Sequence, residues 1–109
     1  MPYRFVRAEP KPEELAELKR RLDQKEIEAI RPFGPAMTKS LEQARLDPET
    51  GEAVWVEEDH CTPPLATERE ILEDYFQQIT VEEEDVDRAG GWRRIEELPS
   101  MWVEMGVEG

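Results

Sequence analysis

The sequence predicts an α+β fold. Three observations carry that prediction. A run of β-formers opens the chain, two stretches carry apolar residues at helical spacing, and a turn-rich string separates two further extended segments. At 109 residues the chain suffices for one domain with a modest core.

Tyr3-Arg4-Phe5-Val6-Arg7 reads as the first strand, bounded by Pro10 and Pro12. Pro12 suits a first helical turn, and Glu13 and Glu14 suit the positive end of the helix dipole. Leu15, Leu18, Leu22, Ala29 and Ile30 fall on one side of a 3.6-residue repeat, so a helix is expected over residues 12–30. Asp23-Gln24-Lys25-Glu26 is a polar stretch able to break it early. Arg31-Pro32-Phe33-Gly34-Pro35 is a stop and turn.

Residues 36–46 fit two patterns. Met37, Leu41 and Ala44 have helical spacing, but a strand over 40–46 would supply a neighbour for the next segment, and the strand is preferred. Asp47-Pro48-Glu49-Thr50-Gly51-Glu52 is turn chemistry, with proline fixing φ and glycine free to take a positive φ. Ala53-Val54-Trp55-Val56-Glu57-Glu58 follows as a strand, with Trp55 expected to pack beneath a helix rather than serve as an exposed aromatic platform. Thr67-Glu68-Arg69-Glu70 has the form of a capping box, with Ile71, Leu72, Tyr75, Phe76 and Ile79 as an apolar stripe behind it. Ile79-Thr80-Val81 alternates as a short last strand. The resulting order over residues 3–81 is that of a ferredoxin-like βαββαβ sandwich: an antiparallel sheet with two helices on one face.

The character changes after Val81. An acidic run, Glu82 to Asp87, leads to Ala89-Gly90-Gly91, read as a hinge. The organisation expected is therefore a single α+β domain over 1–88 and an aromatic tail over 89–109. The tail holds Trp92, Ile95, Leu98, Met101, Trp102, Val103 and Met105, an apolar load that has to be buried. Either it folds back over its own sheet or it docks on a partner protein. Trp92, Arg93, Arg94, Ile95, Leu98 and Trp102 are the candidate partner-binding residues, because tryptophan with arginine is the composition of binding hot spots.

Composition bounds the function. The formal net charge is −13, and it is uneven. Residues 1–34 hold eight Lys/Arg against seven Asp/Glu, whereas residues 35–109 hold six against twenty. Such a surface repels phosphate backbones and argues against direct nucleic-acid binding. It suits a solubilising role, attraction of a basic partner, or mimicry of nucleic acid. No apolar run has membrane-spanning length, and Met1 begins no basic-then-apolar leader. One cysteine excludes an internal disulfide. A cytoplasmic protein without membrane insertion is expected. The absence of Asn, ten Arg against four Lys, and nine prolines point to a thermophilic source or a GC-rich genome.

Asp59-His60-Cys61 is where chemically versatile residues cluster. Cys beside His could form an activated thiol or ligate a metal. Against this, neighbours in an extended segment point to opposite faces, and His60 is the sole histidine. Cys61 is expected to behave as a small buried hydrophobe. Asp85-Val86-Asp87 lacks the remaining ligands of a calcium loop, and Gly90-Gly91 is not placed as a phosphate-binding loop. Neither a metal nor a cofactor is expected. The leading expectation is a small acidic non-enzymatic interaction module: an accessory, assembly or regulatory subunit, with self-association open. The alternatives are a small enzyme or ligand-binding domain using Asp59, His60 and Cys61, and an acidic nucleic-acid mimic.

Overall fold

The structure, a computed structural model, describes residues 3–58, 65–84 and 86–107. It is an α+β fold built on a four-stranded antiparallel sheet of order β2-β3-β1-β4. In chain order the elements are β1 (Tyr3–Pro10), a 3-10 turn (Pro12–Glu14), α1 (Leu15–Asp23), α2 (Gly34–Glu42), β2 (Arg45–Asp47), β3 (Glu52–Glu58), α3 (Arg69–Tyr75), β4 (Phe76–Glu84), α4 (Arg88–Ile95) and α5 (Met101–Glu104).

Strand alternation divides the interior into two layers. In the β1–β3 ladder Val6 lies opposite Trp55 and Ala8 opposite Ala53. These side chains join Leu15, Leu18 and Leu22 of α1, Met37 and Leu41 of α2, and Leu72 and Tyr75 of α3 in the larger cluster. Phe5 and Val54, one residue out of phase, point the other way. They meet Val86 and Ile95, with Tyr3, Val56, Trp92 and Leu98 around them. Three helices, not the two expected, pack on one face of the sheet, and α4, from the segment read as a tail, covers the opposite face.

Local chemistry explains the shifted boundaries. α1 stops at Asp23 rather than near residue 30. Lys25 takes a left-handed conformation at φ 67°, while its N–H donates to Leu22 O and the Glu26 N–H donates to Arg21 O. Those paired bonds are a Schellman closure made without glycine. Ile27, not Ala29 or Ile30, is the buried residue beyond it. The preference for a strand over 40–46 is also overturned. α2 occupies 34–42, with Pro35 tolerated in its first turn and Met37 and Leu41 buried one turn apart. Only Arg45–Asp47 remains as strand, but it still pairs with β3 through the expected turn, where Gly51 has φ 77°.

The capping box at Thr67 does not form. The N-cap of α3 is Glu68, and the Thr67 hydroxyl donates instead to the Glu68 carboxylate at 2.5 Å. α3 ends at Tyr75 because Phe76 and Gln77 are drawn into pairing with Pro10 and Glu9. Phe76 therefore belongs to β4, where its ring lies 5.0 Å from that of Trp55. Trp55 is buried as expected, at 1% exposure.

The last twenty described residues wrap around the sheet. Gly91 is in the interior of α4 rather than a hinge. A Cβ there would stand 2.8 Å from Val56 Cγ2, so its missing side chain lets α4 lie directly on β3. Beyond α4 the chain runs along the outer edge of β2, where Leu46 N–H donates to Pro99 O and Arg45 bridges to Ser100. The Ser100 side chain caps α5, and Trp102 Nε1 donates to Leu41 O at 2.9 Å on the far side.

Candidate functional site

β2 is short, and that creates a notch. It pairs with Glu52, Ala53 and Val54 only, so β3 from Trp55 to Glu58 has β1 on one edge and no strand on the other among the described residues. The space there is a half-open cavity of about 600 Å³. Ser40 and Gln43 of α2 form one wall, and Asp87, Arg88, Ala89 and Trp92 form the other. Tyr3, Trp55, Val56 and Ile95 supply aromatic and aliphatic surface between them. A narrower arm of about 70 Å³ continues past Ala36, Lys39 and Glu58.

Each wall is held by identifiable contacts. α2 is anchored by Met37 and Leu41 in the larger cluster, which turns Ser40 and Gln43 towards the notch. α4 is anchored by Ile95 and the close approach at Gly91. Trp92 is fixed from outside, since the Arg45 guanidinium lies 4.8 Å from its ring centre. That guanidinium is itself held, donating to Leu98 O at 2.7 Å and Glu96 O at 3.3 Å. A cation seated on an indole face in this way adds attraction to simple packing.

The polar lining is mainly donors, and they are unspent. The side chains of Tyr3, Lys39, Ser40, Gln43 and Arg88 make no hydrogen bond or ion pair among the described residues. Ser40 is only 7% exposed. Two carboxylates also line the space, and the Asp87 side chain makes no capping bond or ion pair among the described residues. Asp87 is the N-cap of α4, at the positive end of the helix dipole, and Glu58 is engaged in another interaction.

The opposite end of the sheet holds a charge network. Arg7 of β1 donates to Asp47 of β2 at 3.0 Å, Glu52 of β3 at 3.2 Å and Glu82 of β4 at 3.0 Å. Arg94 reaches Glu82 from α4 and lies over the Phe5 ring, 3.9 Å from its centre. The Arg7 hydrogen bond holds the Asp47 carboxyl below its ordinary range, helped by the Glu49 N–H. At Glu82 burial acts upwards, but bonds from Arg94 and Arg7 outweigh it and the carboxyl is lowered. Arg7 is raised in turn: desolvation opposes this, and its three carboxylate partners prevail. These groups are spent on each other and hold the strands together.

The residues singled out from sequence are dispersed. Asp59, His60 and Cys61 lie outside the described residues. Ile95 and Trp102 are in the interior at 2% and 5% exposure, and Leu98 is half-buried beside α4. Arg94 is committed to Glu82, whereas Arg93 is exposed and makes no side-chain hydrogen bond or ion pair among the described residues. Of that set only Trp92 and Ile95 line the notch. Tyr3, Lys39, Ser40, Gln43 and Arg88 were not anticipated. They come from three separate segments, and no local motif marks them.

Among the described residues no group of three or more His, Cys, Asp or Glu is placed to hold a metal ion. No helix of the described residues is long and apolar enough to cross a membrane. In comparisons with protein-family models, curated proteins and solved structures, nothing matches the chain.

Proposed function

We propose that this chain is a non-catalytic binding module, an accessory subunit of a larger assembly, and that the notch between α2 and α4 is its recognition site. The observation that carries this reading is the convergence of unspent donors on an aromatic-lined cavity. Recognition sites combine apolar surface with a few convergent polar groups, and this notch has both. For the fold, the sheet order 2-3-1-4 supports the ferredoxin-like reading, with two helices in place of one between β1 and β2 and with α4 and α5 added behind it. The acidic surface of residues 35–109 suits contact with a basic protein partner.

The test uses Ala89→Trp. Ala89 is an exposed helical residue on the notch wall, so a large side chain there fills the cavity and leaves the core intact. Complexes isolated under native conditions should contain the wild-type chain and lack the variant. Equal incorporation of a folded Ala89→Trp chain would sink the reading.

A second reading is a ligand-binding domain that uses Asp59, His60 and Cys61. It draws support from Glu58, which precedes Asp59 and lines the narrow arm of the notch. Its test is ligand affinity in Cys61→Ser and His60→Ala, which must fall if those side chains take part.

A further inference from the structure

The donors in the notch have a common chemistry, and it deepens the binding-module reading on which this inference rests. We propose that the notch binds a small organic anion, an acid whose head is a carboxylate and whose body is aromatic or otherwise flat and apolar.

The chain carries fourteen Lys and Arg. All but Arg31, Lys39, Arg88 and Arg93 have a side chain engaged in a hydrogen bond, ion pair or other interaction. Two of these four, Lys39 and Arg88, line the same narrow arm of the cavity, and Arg88 also lines its main volume. Lys39 and Arg88 stand on opposite walls, one on α2 and one on α4. The same arm is lined by the Ser40 hydroxyl, the Gln43 amide and the Tyr3 phenol, each able to donate to an acceptor-rich head, and by Glu58, which is engaged in another interaction. Charge-assisted bonds from Lys and Arg to a carboxylate are the strong member of this class. The body of the ligand has Trp92, Val56 and Ile95 to lie against. A volume of about 600 Å³ falls within the range of small-molecule sites.

Selectivity follows from charge. The surrounding acidic surface disfavours anions generally, so only a molecule that reaches both cations gains from entering. A cationic analogue meets Lys39 and Arg88 with like charge. A neutral analogue keeps the apolar contact and loses the head group.

The experiment titrates the full chain with three matched probes: 2-naphthoate, 2-naphthalenemethanol and 2-naphthylmethylammonium. Amide and indole NMR shifts locate each probe. The carboxylate should bind about tenfold more tightly than the alcohol, the ratio expected when a net charge-assisted bond is gained. Its shifts should centre on Ser40, Arg88 and Trp92. Arg88→Gln and Lys39→Gln should each reduce that preference, and the double variant should abolish it. Both side chains are exposed, so the variants should keep the wild-type near-UV circular dichroism, and Arg31→Gln should bind as wild type. Equal affinity for carboxylate and alcohol, a preference for the ammonium probe, shifts away from the notch, or no binding of any probe each overturns the proposal. So does a peptide bearing a C-terminal phenylalanine carboxylate that fills the notch where naphthoate does not. Those failures are separable from failure of the module reading, which is decided by whether Ala89→Trp still enters the assembly.

Discussion

Arg7 Nη1 donates to Asp47 Oδ2 at 3.0 Å, joining β1 to β2, two strands that are not neighbours in the sheet. The guanidinium reaches across β3, taking Glu52 of that strand on the way, and its Nε binds Glu82 on the other side. One side chain therefore contacts carboxylates from each of the other three strands.

That network predicts the acid response. Asp47 and Glu82 have carboxyls held below their ordinary values in the folded chain. A depressed folded pKa contributes stability above the unfolded value, and that stability is lost as pH falls through the folded one. The urea midpoint should thus decline on acidification below about pH 4.5, where unfolded carboxylates begin to protonate. Arg7→Gln should be less stable than wild type at neutral pH, and the gap should narrow in acid. A gap of constant size down to pH 3 would show that the ion pairs contribute nothing through charge. Glu17 and Glu26, both lowered chiefly by hydrogen bonds from Arg20, act in the same direction.

Gly91→Ala tests the seating of α4. The added methyl group would meet Val56 Cγ2 at 2.8 Å, and Val86 Cγ2 stands at 3.4 Å on the other side. Alanine favours a helix more than glycine does, so an isolated α4 would gain from the change. Overpacking should win, with a loss of about 1–3 kcal/mol in chemical denaturation. A variant as stable as wild type would mean that α4 is not pressed on β3 as described.

Truncation after Asp87 tests what the tail does for its own domain. It removes Ile95, Met101 and Trp102 from both clusters, together with the cover of the β2 edge. The shortened chain should lose its cooperative unfolding transition or aggregate. Trp102→Ala alone should cost about 3–5 kcal/mol, the range for buried tryptophan. A truncated chain with the wild-type transition would show that the tail is dispensable to the core.

The charge excess makes its own prediction. If the acidic half of the chain guides association with a basic partner, the association rate should fall steeply with added salt, while dissociation changes little. A rate independent of salt would leave the excess as a matter of solubility.

The α+β class, the turn at Asp47–Glu52 and the burial of Trp55 were legible because each rests on local chemistry. Residues 36–46 were misread because Met37, Leu41 and Ala44 satisfied a helix while the next strand called for a neighbour. The chain satisfies both, with α2 to Glu42 and three residues of β2 after it. Phe76 and Ile79 fit the helical stripe of α3, but pairing with β1 overrides the spacing from Phe76 onwards. The notch was invisible for a different reason. Tyr3, Ser40 and Arg88 are ordinary surface types at unremarkable spacings, and only the shortness of β2 brings them to one opening.

The wrapping of residues 88–107 also sets the order in which this molecule can be finished. A chain emerging from the ribosome in sequence presents all four strands before α4 exists, with Phe5 and Val54 still facing water. The edge of β2 stays open until Ser100 arrives, and Leu41 O waits for the Trp102 indole. Until α4 and α5 are in place, the residues of the smaller cluster have no cover and the sheet lacks part of its core. During that stage the nascent chain is most exposed to chaperones and to its own neighbours, and it ends only when the last two helices close.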